Sequence, residues 1–493
     1  MITIKPSPLA RAMIRQLLGF AGLYYFAVQI ATTPLAVVDP DIGWHLRAGQ
    51  WMVEKGAVIM TDPFSLYGQG RSWVAYSWLF EIIVYGLVKT FGLAGLFVYT
   101  VSLSIAITTA LLLLIRKVEK NPVVALCLTF LAILAIAPIL QTPRPWLLTI
   151  LLFIIELDVL ITARQTGNYR NLLALPLLFA FWANLHIQFV YGLYVLGIFF
   201  MEPLIEEAFK RPFTFNNIKS AFNYRHWLIL LACLFATLAT PYHIHLYSAV
   251  FDIVNQTGAY QYVSELQAMS FRDITNWLVL GLTMWAVYLL GQKKEARPFT
   301  VLLLLTGIFL SFRSQRDVWF IVLSAIIIVA TSRPSPSAES RFKIRKAHIF
   351  VVLTMLCLVL LMKRHSLSDV ELTETVAKKY PATAVQIIKT QGYLGPLYNH
   401  FDWGGYLIRN LPELPVSIDG RGNLHGDERI EKSIKTWGGA QDWANDPNVI
   451  GAKLIIADVS MPLTSLLRFD KRFDLVYEDK VAALFVAKPT KIK

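Results

Sequence analysis

Apolar runs of about 12 to 24 residues recur from position 14 to position 362, broken by short polar stretches, and runs of this kind are what helices crossing a bilayer require. The pattern predicts spans at Ile14–Val37, Leu93–Ile115, Val123–Leu140, Trp146–Thr162, Leu172–Leu185, Phe189–Phe200, Trp227–Thr240, Ile274–Leu290, Phe299–Phe312, Val318–Thr331 and His348–Met362. That is about eleven crossings. Trp44–Lys55 has helical spacing of Trp44, Leu46, Trp51 and Met52 with Gly56 as a stop, and at about 12 residues it reads as an interfacial helix. Val74–Phe91 is apolar but carries Glu81 and Lys89, so it reads as a short span or a second interfacial helix.

Charge fixes the direction of the spans. Lys5, Arg11 and Arg15 lead the first run and place the N-terminus in the cytoplasm. If Val74–Phe91 does not cross, Arg116, Lys117 and Lys120 fall inside, as do Arg164 and Arg170, the Lys210, Arg211, Lys219 and Arg225 loop, and Lys293, Lys294 and Arg297. The Ser332–Ser337 linker and the basic stretch 341–346 follow the same rule. The loop at 38–91 and everything after the last span then lie outside. Domains are expected at 1–362, a transmembrane domain with its first outward loop at 38–91, and at 363–493, a small extracytoplasmic α/β domain. In the latter, Pro381–Thr390 reads as a helix, Val416–Ile418 and Lys453–Ala457 as strands, and Phe473–Ala487 as a hairpin around Glu478-Asp479-Lys480. The fold class is therefore an all-α polytopic membrane protein with an appended α/β domain.

Composition agrees. The chain of 493 residues is 55% hydrophobic and 16% charged, well under the roughly 25% charge of soluble domains. A formal net charge of +13 raises nucleic acid as a partner, but the basic residues sit in short clusters between apolar runs, as topology signals do. Nucleic acid is excluded as a partner on that ground; membrane lipid is not. Cys127, Cys233 and Cys357 lie inside apolar runs and form no disulfide or zinc framework.

Four groups of residues could carry chemistry. Asp39 and Asp41, in Val38-Asp39-Pro40-Asp41-Ile42-Gly43-Trp44-His45, put two carboxylates at the mouth of a span, where charge is costly. They suit a general base with a partner carboxylate, a pair sharing a divalent cation such as Mg or Mn, or simply caps for the following helix. Arg144, Arg313 and Arg316 stand at outward span ends, against the topology bias, and their planar forks suit a phosphate; snorkelling to lipid phosphates is the alternative. Trp182-Ala183-Asn184-Leu185-His186-Ile187-Gln188 sets His186 and Gln188 in an apolar run and implies a polar cavity, and His243 with His245 could chelate. Phe401-Asp402-Trp403-Gly404-Gly405-Tyr406 and Ser417-Ile418-Asp419-Gly420-Arg421-Gly422-Asn423 read as turns whose aromatics could stack on a sugar, or as folding turns alone.

One span, an outward loop opening with Asp-x-Asp, interfacial helices, many spans and an outward C-terminal domain together resemble the GT-C superfamily of polyprenyl-phosphate-sugar-dependent glycosyltransferases. Asp39-Pro40-Asp41 with Trp44-His45-Leu46, Thr61-Asp62-Pro63-Phe64-Ser65, Trp182-Ala183-Asn184-Leu185-His186 and Asp402-Trp403-Gly404-Gly405-Tyr406-Leu407 are more closely similar to bacterial GT-C-like membrane proteins. The resemblance implies a cytoplasmic (inner) membrane enzyme that transfers sugar, with inversion, from a lipid-phosphate donor to a glycan, lipid or protein acceptor on the extracytoplasmic face. Asp41, with Asp39, would be the catalytic base. Trp44, His45, Arg144, His186, Gln188, Arg313 and Arg316 would bind substrate. The Trp-Trp-Asp-Tyr-Gly motif of oligosaccharyltransferases is absent, so asparagine-sequon recognition is not implied. A non-catalytic GT-C-like scaffold and a transporter of lipid-linked saccharides are the alternatives.

Overall fold

A computed structural model describes residues 8–210, 219, 221–256, 258–333 and 346–489. Lys5 and Arg211, most of the Ser332–Ser337 linker and most of the basic stretch 341–346 lie outside the described residues. Contacts divide the chain into two compact units: Met1–Thr33, Phe97–Thr240 and Gln267–Arg364 make the first, and Pro34–Leu96, Pro241–Leu266 and His365–Lys493 the second. Sequence reading places the first outward loop with the spans; by contacts that loop belongs with the C-terminal segment instead.

The first unit is helical. α1 (Pro8–Ala31), α4 (Ala94–Val118), α5 (Pro122–Ala135), α6 (Trp146–Thr166), α7 (Leu175–Leu185) and α8 (Phe189–Phe209) are followed by helices at Tyr224–Ala236, Ile274–Gly291, Pro298–Arg313, Val318–Ser332 and Lys346–Met362. Every expected span thus falls on a helix. Among the described residues six helices are long and apolar enough to cross a membrane, and four more are apolar but shorter. The chain is a multi-pass membrane protein. Val318–Ser332 is buried on every side from Val318 to Ala330 and forms the middle of the unit. Its neighbours are Ile274–Gly291 and Pro298–Arg313, and Gly307 lets the latter approach, because a Cβ there would lie 3.0 Å from the Ile321 Cα. Hydroxyls join α1 to α4, with Ser104 donating to the Ala27 carbonyl at 2.9 Å and Thr100 to that of Ala31 at 2.7 Å. Such bonds matter where no water can replace them.

Several boundaries depart from the expected ones, and two of them have a plain cause. The Val123–Leu140 run is helical only to Ala135, because Pro138 cannot continue the ladder and residues 136–138 turn instead. The Phe189–Phe200 run continues to Phe209 with Pro203 inside it, its polar end being tied down by an Arg164–Glu202 ion pair.

The second unit contains a four-stranded sheet of order β1-β2-β4-β3, from β1 (Leu397–Asn399), β2 (Leu454–Asp458), β3 (Phe473–Glu478) and β4 (Ala482–Ala487). β1 and β2 are parallel, while β2–β4 and β3–β4 are antiparallel, with Ile455 opposite Phe485. The strands bury Ile455, Ala457 and Phe485 with Tyr398, Trp437, Val449 and Leu463. Val416–Ile418, expected as a strand, makes a single bridge to Ser65. The Asn399 side chain takes the next backbone group, accepting from the Ser417 amide at 2.9 Å, so no ladder can extend. α2 (Ile42–Lys55) and α3 (Trp78–Phe91) pack together in this unit, and at 14 residues α3 is short for a span. α2 ends where expected, at Gly56 in the left-handed conformation (φ 61°).

Candidate functional site

Asp39 and Asp41 lie in the turn that opens α2 and have different work. Asp39 is 6% exposed, and its Oδ1 accepts from the amides of Asp41 (2.9 Å) and Ile42 (3.2 Å), so it holds the turn. Asp41 is half-buried and makes no cap bond; its Oδ1 accepts from Trp44 Nε1 at 3.0 Å. The helix-cap reading therefore fits the Asp39 side chain and not that of Asp41.

Glycines bring two other segments against this turn. A Cβ on Gly43 would lie 2.2 Å from the Gly405 carbonyl oxygen, one on Gly405 2.3 Å from that of Pro40, and one on Gly420 1.9 Å from Asp41 Oδ1. Gly404 is equally tight, 2.3 Å from the Ile418 oxygen. The turn residues Gly404-Gly405 and Asp419-Gly420 thus form the wall on which Asp41 rests. Tyr380 and Lys379 clamp the other end of the turn, donating to the Val38 carbonyl at 2.9 and 3.1 Å, and the Tyr380 ring stacks on Tyr406.

Behind Gly420 sits a fully buried charge network. Arg421 Nε and Nη2 grip Asp419 at 2.7 Å each, Nη1 reaches Asp62 Oδ1 at 2.5 Å, and His425 Nε2 lies 3.0 Å from Asp419 Oδ2. Asp62 also accepts from the amides of Phe64 and Ser65. The guanidinium lies 4.6 Å from the Trp73 ring centre. Burial alone would raise the Asp419 carboxyl, but Arg421 and His425 hold it well below the usual carboxylate range. Arg421 is likewise held above its ordinary value despite burial.

His45 points into this unit's interior. It is 3% exposed, and its Nδ1 lies 3.3 Å from Glu81 Oε1. Burial pushes the Glu81 carboxyl well above the usual range, with the Arg421 charge opposing. Trp44 is also buried, edge-on to Trp73.

Arg144, His186, Gln188, Arg313 and Arg316 all belong to the first unit. Gln188 Nε2 donates to Asp317 Oδ1 at 2.7 Å, and Tyr191 OH to Oδ2 at 3.1 Å. Trp182 Nε1 donates to Thr149 Oγ1 at 2.9 Å, and the same hydroxyl is hydrogen-bonded to His186 Nδ1, also at 2.9 Å. Burial first, then the positive charges of Arg316 and Arg144, push His186 well below its ordinary value. It is neutral at pH 7 and reports that two guanidiniums are near. Arg144 is 6% exposed and lies over the Trp146 ring. His243 and His245 are exposed.

Among the described residues no three His, Cys, Asp or Glu side chains come together to hold a metal. Asp39 and Asp41 offer two carboxylates at most, and a magnesium or manganese ion held there would take its other oxygens from water or a substrate phosphate. Sequence reading flagged Asp62, Asp419 and Arg421 only as turn residues. Their pairing spans 359 positions, and no local pattern carries it.

No family model matches the sequence, and no curated protein does. Solved structures do match. The apo oligosaccharyltransferase of Archaeoglobus fulgidus superposes with TM-score 0.55 at 10% identity, covering 90% of this chain and 70% of that one. Oligosaccharyltransferase AglB from the same organism, in complex with an inhibitory peptide and a dolichol-phosphate, gives 0.53 at 10% identity, covering 90% and 69%. Apo ArnT from Cupriavidus metallidurans gives 0.48 at 13% identity, covering 98% and 100%. The chain has the GT-C fold.

Proposed function

We propose that this protein is an inverting glycosyltransferase that moves a sugar from a polyprenyl-phosphate donor to an acceptor hydroxyl or amine on the extracytoplasmic face, with Asp41 as general base. The observation that carries the reading is the division of labour in the opening turn of α2. Asp39 is spent on backbone amides, whereas Asp41 is half-buried on a glycine wall with its Oδ1 fixed by Trp44. The likeness to oligosaccharyltransferases, one of which holds a dolichol-phosphate, supports a lipid-linked donor.

The chemistry follows from charge. A carboxylate that takes the acceptor's proton as it attacks the anomeric carbon needs the leaving phosphate on the opposite face of the sugar, and the result is inversion. The phosphate leaves with negative charge, which planar guanidinium forks suit; Arg144, Arg313 and Arg316 are the sequence's candidates for that role, and His186 and Gln188 belong to the same unit as they do. His45 acts through Glu81 in positioning α2 rather than by touching sugar. Eleven spans in a cytoplasmic (inner) membrane, an N-terminus inside and residues 363–493 outside complete the reading, with a glycan, lipid or protein as acceptor.

The test needs no acceptor. Purified protein is incubated with a panel of polyprenyl-phosphate sugars, and slow release of polyprenyl phosphate is followed with and without a chelator. Release should fall by about 10²–10⁴-fold in Asp41→Asn, the range general-base catalysis commands. Equal release by the variant would remove Asp41 from the reaction, and loss of release on chelation would restore Mg or Mn.

A further inference from the structure

Tyr67, in the loop before α3, has two guanidiniums over its ring: Arg71 Cζ is 4.0 Å and Arg429 Cζ 3.9 Å from the ring centre. Two like charges on one aromatic ring repel, and burial first, then the Arg71 charge, lowers the affinity of Arg429 for its proton. Among the described residues neither arginine has a carboxylate partner within ion-pair distance. Asp446 is near enough to act on Arg429, but its oxygens are taken by Thr436 Oγ1 (2.7 Å) and by the amide (2.9 Å) and Nδ2 (3.0 Å) of Asn448. Arg429 Nη2 makes one long contact, 3.5 Å to the Ser417 carbonyl, and its buried Nε has no hydrogen-bond partner among the described residues. Leaving such a donor unmet costs free energy, which a bound acceptor would recover.

The tyrosine hydroxyl supplies a third donor. Its oxygen accepts from Arg71 Nη1 at 3.1 Å, so its own hydrogen is left to give away beside two cations. Three donor groups and two positive charges gathered about one tyrosine suit a small anion with several acceptor oxygens. The ring also lies 6.1 Å from that of His425, which holds Asp419 next to Gly420, so the cluster is built on the loop against which Asp41 rests.

We propose that Tyr67, Arg71 and Arg429 form a binding site for a phosphate group. Arginine forks and a hydroxyl match the tetrahedral oxygens of phosphate, and the half-buried setting of Arg429 reduces competition from water. The phosphate comes either from a phospholipid headgroup or from a soluble phosphate. The site stands whether or not the chain transfers sugar.

The experiment uses the full chain in neutral detergent at fixed ionic strength set with chloride. Inorganic phosphate is titrated by calorimetry, and dioleoyl phosphatidic acid against phosphatidylcholine is followed by native mass spectrometry. Arg71→Gln alters an exposed side chain, and Arg429→Lys keeps the charge while removing the fork; circular dichroism checks that both fold. Each variant should weaken binding of whichever phosphate the wild type takes by about tenfold, the value of one charge-assisted hydrogen bond. Dependence seen with inorganic phosphate identifies a soluble source, and dependence seen only with phosphatidic acid a lipid one. Affinities for both that are the same in wild type and variants, or no binding of either by folded wild type, would overturn the proposal.

Discussion

At the scale of single residues, the sharpest feature is a missing side chain. Gly420 has no strained backbone to relieve, so its requirement is purely spatial: a methyl there would sit 1.9 Å from Asp41 Oδ1. Gly420→Ala should leave the fold intact, by circular dichroism, and lower donor hydrolysis about 10²-fold, because a displacement of roughly 1 Å at a reacting group costs that much. The double variant with Asp41→Asn should lose little beyond Asp41→Asn alone. Full additivity of the two losses would show that the glycine does not act through the carboxylate.

Among elements, the buried Asp62–Arg421–Asp419–His425 network fastens the loop after residue 61 to the start of the Gly422–Trp437 helix. Removing one partner of such a network strands the others, so Arg421→Met should cost about 3–5 kcal/mol. The pH dependence gives a sign that a simple packing loss would not. In the wild type Asp419 is depressed below its unfolded value, so its contribution is fully present above about pH 4 and is lost as pH falls below that. In Arg421→Met the stranded carboxylates are raised by burial, and raised acids lose stability as pH rises. Acidifying from pH 7 to 4 should therefore raise the melting temperature of the variant relative to wild type. Parallel pH curves for the two proteins would contradict the assignment.

For the whole molecule, the charge bias makes a claim about sidedness. In a background with Cys127, Cys233 and Cys357 replaced, a cysteine at Lys471 should react with an impermeant maleimide from outside the cell, and one at Gln165 only after permeabilisation. Both positions are exposed, so burial does not confound the result. The reverse pattern would invert the topology and put Asp41 on the cytoplasmic side.

Most helices of the first unit were legible because a span must be apolar over its whole length, a constraint that leaves a continuous local trace. Pro138 shows its limit, since hydropathy runs through a residue that the backbone cannot. Asp39-Pro40-Asp41 was visible as a costly pair of charges, but which carboxylate accepts from the backbone of the turn and which meets Trp44 depends on the χ angles and neighbours of a folded turn. The sequence by itself determined a multi-pass chain with an α/β end and a suspect acidic turn. Only tertiary structure decided that residues 34–96 pack with the C-terminal segment, that Gly43, Gly405 and Gly420 close around Asp41, and that Arg421 is met by Asp62 from 359 residues away. The reason is physical: burial of a span is enforced by the bilayer residue by residue, whereas a glycine contact or a buried ion pair exists only between segments that the fold has brought together.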